Sequence, residues 1–127
     1  METGMTQSAT LLVKDADTAL KIGSGDLEVL ATPALIALME HAAMQAVAPA
    51  LPEGYTTVGA AIDCKHNRPT GVGQQVKATA TLEAIENERK LTFRIVAEDE
   101  QGPIAEATHV RFIVNRQRFI AKLPHQK

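Results

Sequence analysis

The stretch Thr32-Pro33-Ala34-Leu35-Ile36-Ala37-Leu38-Met39-Glu40-His41-Ala42-Ala43-Met44-Gln45-Ala46-Val47 decides the fold. At about 100° per residue, Leu35, Met39, Ala42, Ala43 and Ala46 share one face, which Ile36 and Val47 widen. Thr32 reads as the N-cap, its side-chain oxygen accepting a backbone N–H. Pro33 reads as the first helical residue, where a missing N–H costs nothing. Ala48-Pro49 closes the run. This is a long, apolar helix with Glu40 at the margin of its buried face and His41 and Gln45 pointing away.

Downstream, alternation replaces the helical period. In Thr57-Val58-Gly59-Ala60-Ala61-Ile62-Asp63-Cys64-Lys65-His66 a repeat of two puts Val58, Ala60, Ile62, Cys64 and His66 on the inward face, with Asp63 and Lys65 outward. Val76, Ala78, Ala80, Leu82 and Ala84 alternate with Lys77, Thr79, Thr81 and Glu83, and Leu91, Phe93, Ile95 and Ala97 alternate likewise with Thr92, Arg94 and Glu98. Strands are expected over 56–66, 74–86, 90–98 and 104–115, joined by turns at 86–89 and 99–103. A short strand is expected at 9–13, after a polar leader. The flexible segment 21–26, with Gly23 and Gly25, stands just before the helix, where it can cover a site. One early helix followed by long strands gives an α+β layout, an antiparallel sheet wrapped around one central helix.

At 127 residues the chain reads as a single domain over 1–127, small enough that a homodimer often completes its site. Thirteen basic side chains against fifteen acidic ones leave a net charge of −2, without the basic stripe of a nucleic-acid-binding surface. The single cysteine makes no internal disulfide, and the stretch from Leu30 to Val47 is too interrupted to be a membrane anchor. A cytoplasmic location is expected. His41, His66, His109 and His125 lack metal-ligand spacing, so no metal is expected.

Thr32, Glu40 and His66 together supply a hydroxyl, a carboxylate and an imidazole, the groups that acyl transfer requires. The residues Ala31-Thr32-Pro33, Leu38-Met39-Glu40-His41-Ala42-Ala43, Val58-Gly59, Lys65 to Gly73 and Thr108-His109-Val110-Arg111-Phe112 closely resemble the fluoroacetyl-CoA thioesterase-like family of hot-dog proteins. The resemblance spans roughly residues 10–122. It implies a hot-dog fold and the hydrolysis of a short- to medium-chain acyl-CoA, with coenzyme A as part of the substrate and no separate cofactor. It also implies a catalytic threonine, glutamate and histidine at the spacing of Thr32, Glu40 and His66, which stand eight and then twenty-six residues apart.

Regular helix from 32 to 40 separates Thr32 from Glu40 by about 12 Å along the axis, too far for a hydrogen bond. Three explanations follow: a later helix start, a site shared by two subunits, or an acyl group that spans the gap. Gly59 matches a small position near the acyl group in the family, yet strict alternation from His66 turns it outward unless a bulge intervenes at Gly59-Ala60. Gly59, Asn67, Arg68, Arg116 and Arg118 are the candidate substrate-binding residues, the three arginines for the phosphates of coenzyme A. Ala31, Ala34, Ala43, Ala60 and Ala61 are expected to leave an open acyl pocket. The family's aromatic gate has no counterpart here, since no aromatic residue precedes Tyr55. A homodimer, or a tetramer built from dimers, is the expected assembly. Two other readings use the same groove: a non-catalytic acyl-CoA-binding module, and a hot-dog hydratase or dehydratase, whose Asp-x-x-x-x-His pattern is missing around Glu40.

Overall fold

A computed structural model describes residues 1–124, which leaves His125 outside the described residues. In chain order the elements are β1 (Thr6–Leu12), α1 (Ala19–Ile22), α2 (Thr32–Val47), β2 (Tyr55–His66), β3 (Gln75–Glu86), β4 (Lys90–Asp99), β5 (Gly102–Asn115) and α3 (Arg116–Ala121). The five strands form one antiparallel sheet in the order β1-β3-β4-β5-β2, so β1 and β2 are its edges.

The concave face of the sheet holds α2. Leu35, Met39, Ala42, Ala43, Ala46 and Val47 are buried, the face expected from the helical period except that Ile36 is half-buried. Opposite them lie Val76, Ala78, Ala80 and Leu82 of β3 and Leu91, Phe93, Ile95 and Ala97 of β4, the inward set of the alternation. Leu35, Met39, Phe93 and Ile95 are wholly buried, and each contributes about 1.5–3 kcal/mol of transfer free energy. The small alanines at 42, 43 and 46 allow the helix to lie close to the sheet.

Three local features depart from the pattern. β1 begins at Thr6, taking part of the polar leader into the sheet. Its hydroxyls pair across the strands, Ser8 Oγ with Thr79 Oγ1 at 2.8 Å and Thr6 Oγ1 with the Ala80 carbonyl at 2.9 Å, so the edge strand extends into its polar first half ahead of Ala9 and Leu11. After β5 the chain turns into α3, which periodicity does not announce. Asn115 caps it by accepting from the Arg118 N–H at 3.0 Å. At the β3–β4 hairpin Asn87 and Glu88 have φ of 53° and 57°, the paired left-handed residues of a tight turn whose twist suits the flanking strands.

Candidate active site

Helix α2 starts one residue earlier than its Pro33 suggests. Its first bond runs from the Leu35 N–H to the Ala31 carbonyl at 3.0 Å, and Ala31 is the N-cap, with φ −72° and ψ 140°. Thr32 is therefore the first helical residue and makes no cap, contrary to expectation; Pro33 follows it within the first turn, where a proline is tolerated. The Thr32 hydroxyl instead meets His66, with Oγ1 2.8 Å from Nδ1. His66 is the last residue of β2, half-buried, and burial pushes its pKa below the ordinary value against a weaker opposing pull from the Arg68 backbone. Neutral imidazole has one acceptor nitrogen, and with Nδ1 in that role the Thr32 O–H donates to it. His66 Nε2 is buried with no partner among the described residues. A groove of ≈ 300 Å³ opens beside the pair, bordered by Pro33, Asn67, Arg68 and by Ser24 from the segment expected to cover the site.

Glu40 does not join this pair. The helix is regular over its sixteen residues, which removes the late-start explanation and sets Glu40 about 12 Å from Thr32 along the axis. It is gathered with residues of β2 and β5. The register of β2 against β5 shifts between Gly59 and Ala61, and the extra residue is Ala60. This bulge reverses the faces upstream: Thr57 is buried, Val58 is half-buried, and Gly59 rather than Ala60 comes round to α2. A Cβ built on Gly59 would stand 3.2 Å from Glu40 Oε2, 3.3 Å from Arg111 Nη1 and 3.4 Å from His109 Cε1.

His109 and Arg111 are functional candidates for which the sequence reading proposed no role. Both are buried, at 0% and 7% exposure. Alternation along β5 was the available signal, because it sets two titratable residues on the inward face behind Ala105 and Ala107. Arg111 donates from Nε to Thr57 Oγ1 at 2.8 Å and from Nη2 to the Thr57 carbonyl at 3.0 Å, and Nη1 lies 3.2 Å from His109 Nε2. None of the described ion pairs includes Arg111. Its charge is held by neutral acceptors, with Glu40 as the carboxylate that acts on it electrostatically.

The candidate arginines separate. Arg68 donates to Asp99 Oδ1 at 2.7 Å, the Gly102 carbonyl at 2.9 Å and the Pro103 carbonyl at 3.2 Å, so it straps the β4–β5 turn rather than presenting an unpaired charge. Arg116 and Arg118 lie on α3, at the Tyr55 end of β2 and hence the far end from His66 and Arg68. Within one chain the three cannot share one set of phosphates. Arg118 lines a cleft of ≈ 560 Å³ with Tyr55, Arg89, Phe119 and Lys122. Cys64, on the face of His66, directs its thiol to Met39 Sδ at 3.9 Å, and burial raises its pKa. Of the alanines expected to line the pocket, Ala31 and Ala43 are in the core, Ala34 is half-buried against it, and Ala60 and Ala61 are exposed on the sheet edge. Among the described residues no cluster of His, Cys, Asp or Glu gathers to hold a metal ion, and no helix is long and apolar enough to cross a membrane.

Residues 13–117 match the family described as FlK, fluoroacetyl-CoA-specific thioesterase. The chain is 38% identical over 96 residues to the fluoroacetyl-CoA thioesterase of Streptantibioticus cattleyicolor, covering 76% of this chain and 68% of that protein. A point mutant of FlK superposes with a TM-score of 0.88 at 31% identity over 96% of this chain and 94% of the other. A second FlK variant, solved with acetyl-CoA, superposes at 0.90 with 30% identity over 96% of each. The fold alone extends further, to a thioesterase superfamily member of Thermus thermophilus at TM-score 0.87 and 23% identity, over 94% of this chain and 88% of that one.

Proposed function

The chain belongs to the fluoroacetyl-CoA-specific thioesterase family and is an acyl-CoA thioester hydrolase, and we propose that the Thr32–His66 pair is its catalytic centre. The observation that carries this is the 2.8 Å contact between a hydroxyl that caps nothing and a neutral imidazole. As Thr32 Oγ1 attacks the thioester carbonyl, its proton passes to His66 Nδ1; an O–C bond forms, the C–S bond breaks, and the thiolate of coenzyme A departs. A thiolate needs little acid assistance, so His66 keeps its proton until the thiolate takes it up; it then takes a proton from the attacking water and returns it to Thr32 Oγ1 as the ester C–O bond breaks and the acid leaves. Thr32 stands at the start of α2, where the helix dipole favours the oxyanion.

Glu40 reaches this chemistry from a second subunit. β2 is an edge strand of twelve residues with Gly59, Ala60 and Ala61 exposed. An unpaired edge of that length invites strand addition. Two copies paired antiparallel about a point between Ile62 and Asp63 set Gly59 of one against His66 of the other. The homodimer then unites Thr32 and His66 of one copy with the partner's Glu40, Gly59 and Arg111, and the acyl group lies over Gly59. Arg118, on the cleft at the base of β5, serves the phosphates of coenzyme A, with Arg116 beside it on α3. Asn115 is four residues from Arg111, about 13 Å at ~3.3 Å per residue, which an extended pantetheine arm spans. Asn67 borders the groove beside Thr32, which supports reading it as a substrate contact. The acyl-CoA pool puts the enzyme in the cytoplasm, with no cofactor beyond the substrate itself.

Release of free thiol from fluoroacetyl-, acetyl-, butyryl- and hexanoyl-CoA tests the reading, with Thr32→Ala and His66→Ala as controls. Turnover by the parental enzyme and its loss in both variants is expected. Undiminished turnover in both would move the catalytic centre elsewhere.

A further inference from the structure

Among the groups around Gly59, His109 is the one for which the proposed reaction has no use, and its surroundings define its state more fully than those of the other described histidines. Nδ1 lies 2.7 Å from the Ala61 carbonyl. A carbonyl only accepts, so Nδ1 carries a proton. Nε2 lies 3.2 Å from Arg111 Nη1. A guanidinium only donates, so Nε2 carries none. Both contacts are satisfied by one species, neutral imidazole protonated at Nδ1. Ala61 is the residue at which the β2–β5 register resumes after the bulge, so the irregularity that brings Gly59 inward also supplies the carbonyl that fixes this tautomer.

We propose that His109 is a positioning residue, a neutral Nδ1-protonated imidazole whose lone pair holds the Arg111 guanidinium beneath the opening left by Gly59. Arg111 has five N–H donors. Thr57 and His109 take three of them, leaving one on Nη1 and one on Nη2 for whatever enters over Gly59. The catalytic use of that guanidinium rests on the thioesterase reading; the tautomer does not.

The surroundings oppose protonation. The Phe93 ring of β4 packs on the imidazole with centroids 6.2 Å apart and a tilt of 33°. Burial lowers its pKa; the Ala61 carbonyl of β2 pulls the other way, Arg111 of β5 lowers it further, and Glu40 of α2 raises it. A proton on Nε2 would point at a donor and place two cations in contact, so the hold on Arg111 ends when His109 is charged.

Two experiments decide this. Long-range ¹⁵N–¹H correlation spectra of the parental protein at neutral pH should show His109 as the Nδ1–H tautomer; an Nε2–H tautomer or a doubly protonated ring overturns the proposal. Turnover of His109→Gln and His109→Asn separates the two contacts, because the Gln amide oxygen stands near the place of Nε2 and the Asn amide near that of Nδ1. His109→Gln should keep kcat/KM within a few-fold of the parental value, whereas His109→Asn should lose about tenfold or more. The reverse order, or equal values, would show that His109 does not act through Arg111. If the parental enzyme itself turns over no acyl-CoA, the thioesterase reading fails and the spectra alone judge the tautomer.

Discussion

Thr32 and His66 are thirty-four residues apart in the chain and 2.8 Å apart in the fold, joined Oγ1 to Nδ1 where α2 begins and β2 ends. The hydroxyl is available because Ala31, with no side-chain donor or acceptor, occupies the cap position. A true N-cap threonine contributes about 1 kcal/mol to helix stability. Thr32→Ala should therefore cost well under that in urea denaturation while lowering kcat by ~10²-fold or more. Thr32→Ser, which keeps the hydroxyl, should stay near parental activity. A stability loss typical of a cap, with turnover intact, would reverse the assignment.

A site shared across a dimer predicts complementation. Glu40→Gln and His66→Ala should each lower turnover by ~10²-fold. When the two variants are unfolded together, mixed and refolded, half the dimers are hybrids, and in each hybrid one of two sites has no substitution. Recovery of about a quarter of parental activity is expected. A mixture as inactive as its components would mean that Glu40 and His66 act within one chain.

Stability should fall in two stages on acidification. His66 and His109 both have folded pKa values below their ordinary 6.5. Below 6.5 the unfolded chain takes up protons that the folded protein refuses, so stability declines from that pH down through the lowered values and is unaffected above it. Asp99 behaves as a carboxylate of depressed pKa. Burial alone would raise it, but Thr70, Gln101 and Arg68 together hold it below 3.8, so its contribution is present above that value and lost beneath it. Denaturation midpoints across pH should show both stages in the parental protein, and Asp99→Asn should abolish only the lower. A single transition shared by both proteins would contradict this.

How far the sequence could be read depended on whether neighbours along the chain or neighbours in space did the deciding. The face of α2 and the inward residues of β3 and β4 follow from periodicity alone, so Leu35, Met39, Phe93 and Ile95 were legible. The expectation of a cap at Thr32 fails because a threonine before proline at a helix start looks the same whether its hydroxyl caps the helix or bonds a histidine on a distant strand. Gly59 could be placed only conditionally, since the bulge at Ala60 arises from pairing with β5. The strap from Arg68 to Asp99 is equally invisible, the two being thirty-one residues apart with no local pattern to link them.

Gly59 limits what sits above Glu40 and Arg111. Its φ is outside the left-handed region, so alanine fits the backbone, but the new Cβ would press on three side-chain atoms at 3.2–3.4 Å. Those are the ends of flexible side chains or a ring edge that moves by a few tenths of an ångström. Gly59→Ala should thus change stability by less than about 1 kcal/mol while lowering kcat/KM, and Gly59→Val should lower it further. A Gly59→Val enzyme with parental kcat/KM on every acyl-CoA would place the acyl group elsewhere.

Arg118 and Arg68 make opposite predictions about coenzyme A. Arg118 is exposed on the rim of a cleft of ≈ 560 Å³ that also holds Arg89 and Lys122, so reversing its charge disturbs little of the fold and much of the local field. Arg68 has its guanidinium engaged by Asp99 and two carbonyls, and its side chain is 37% exposed. Arg118→Glu should raise KM for acetyl-CoA several-fold yet leave hydrolysis of acetyl-N-acetylcysteamine, which lacks the nucleotide and its phosphates, unchanged. Arg68→Ala should leave KM for both thioesters near parental and instead cost about 1–2 kcal/mol in urea denaturation, a solvent-screened loss of one partner of a carboxylate that Thr70 and Gln101 still hold. A KM effect at Arg68 for acetyl-CoA alone, with none at Arg118, would move the phosphates to the His66 end of the sheet and away from α3.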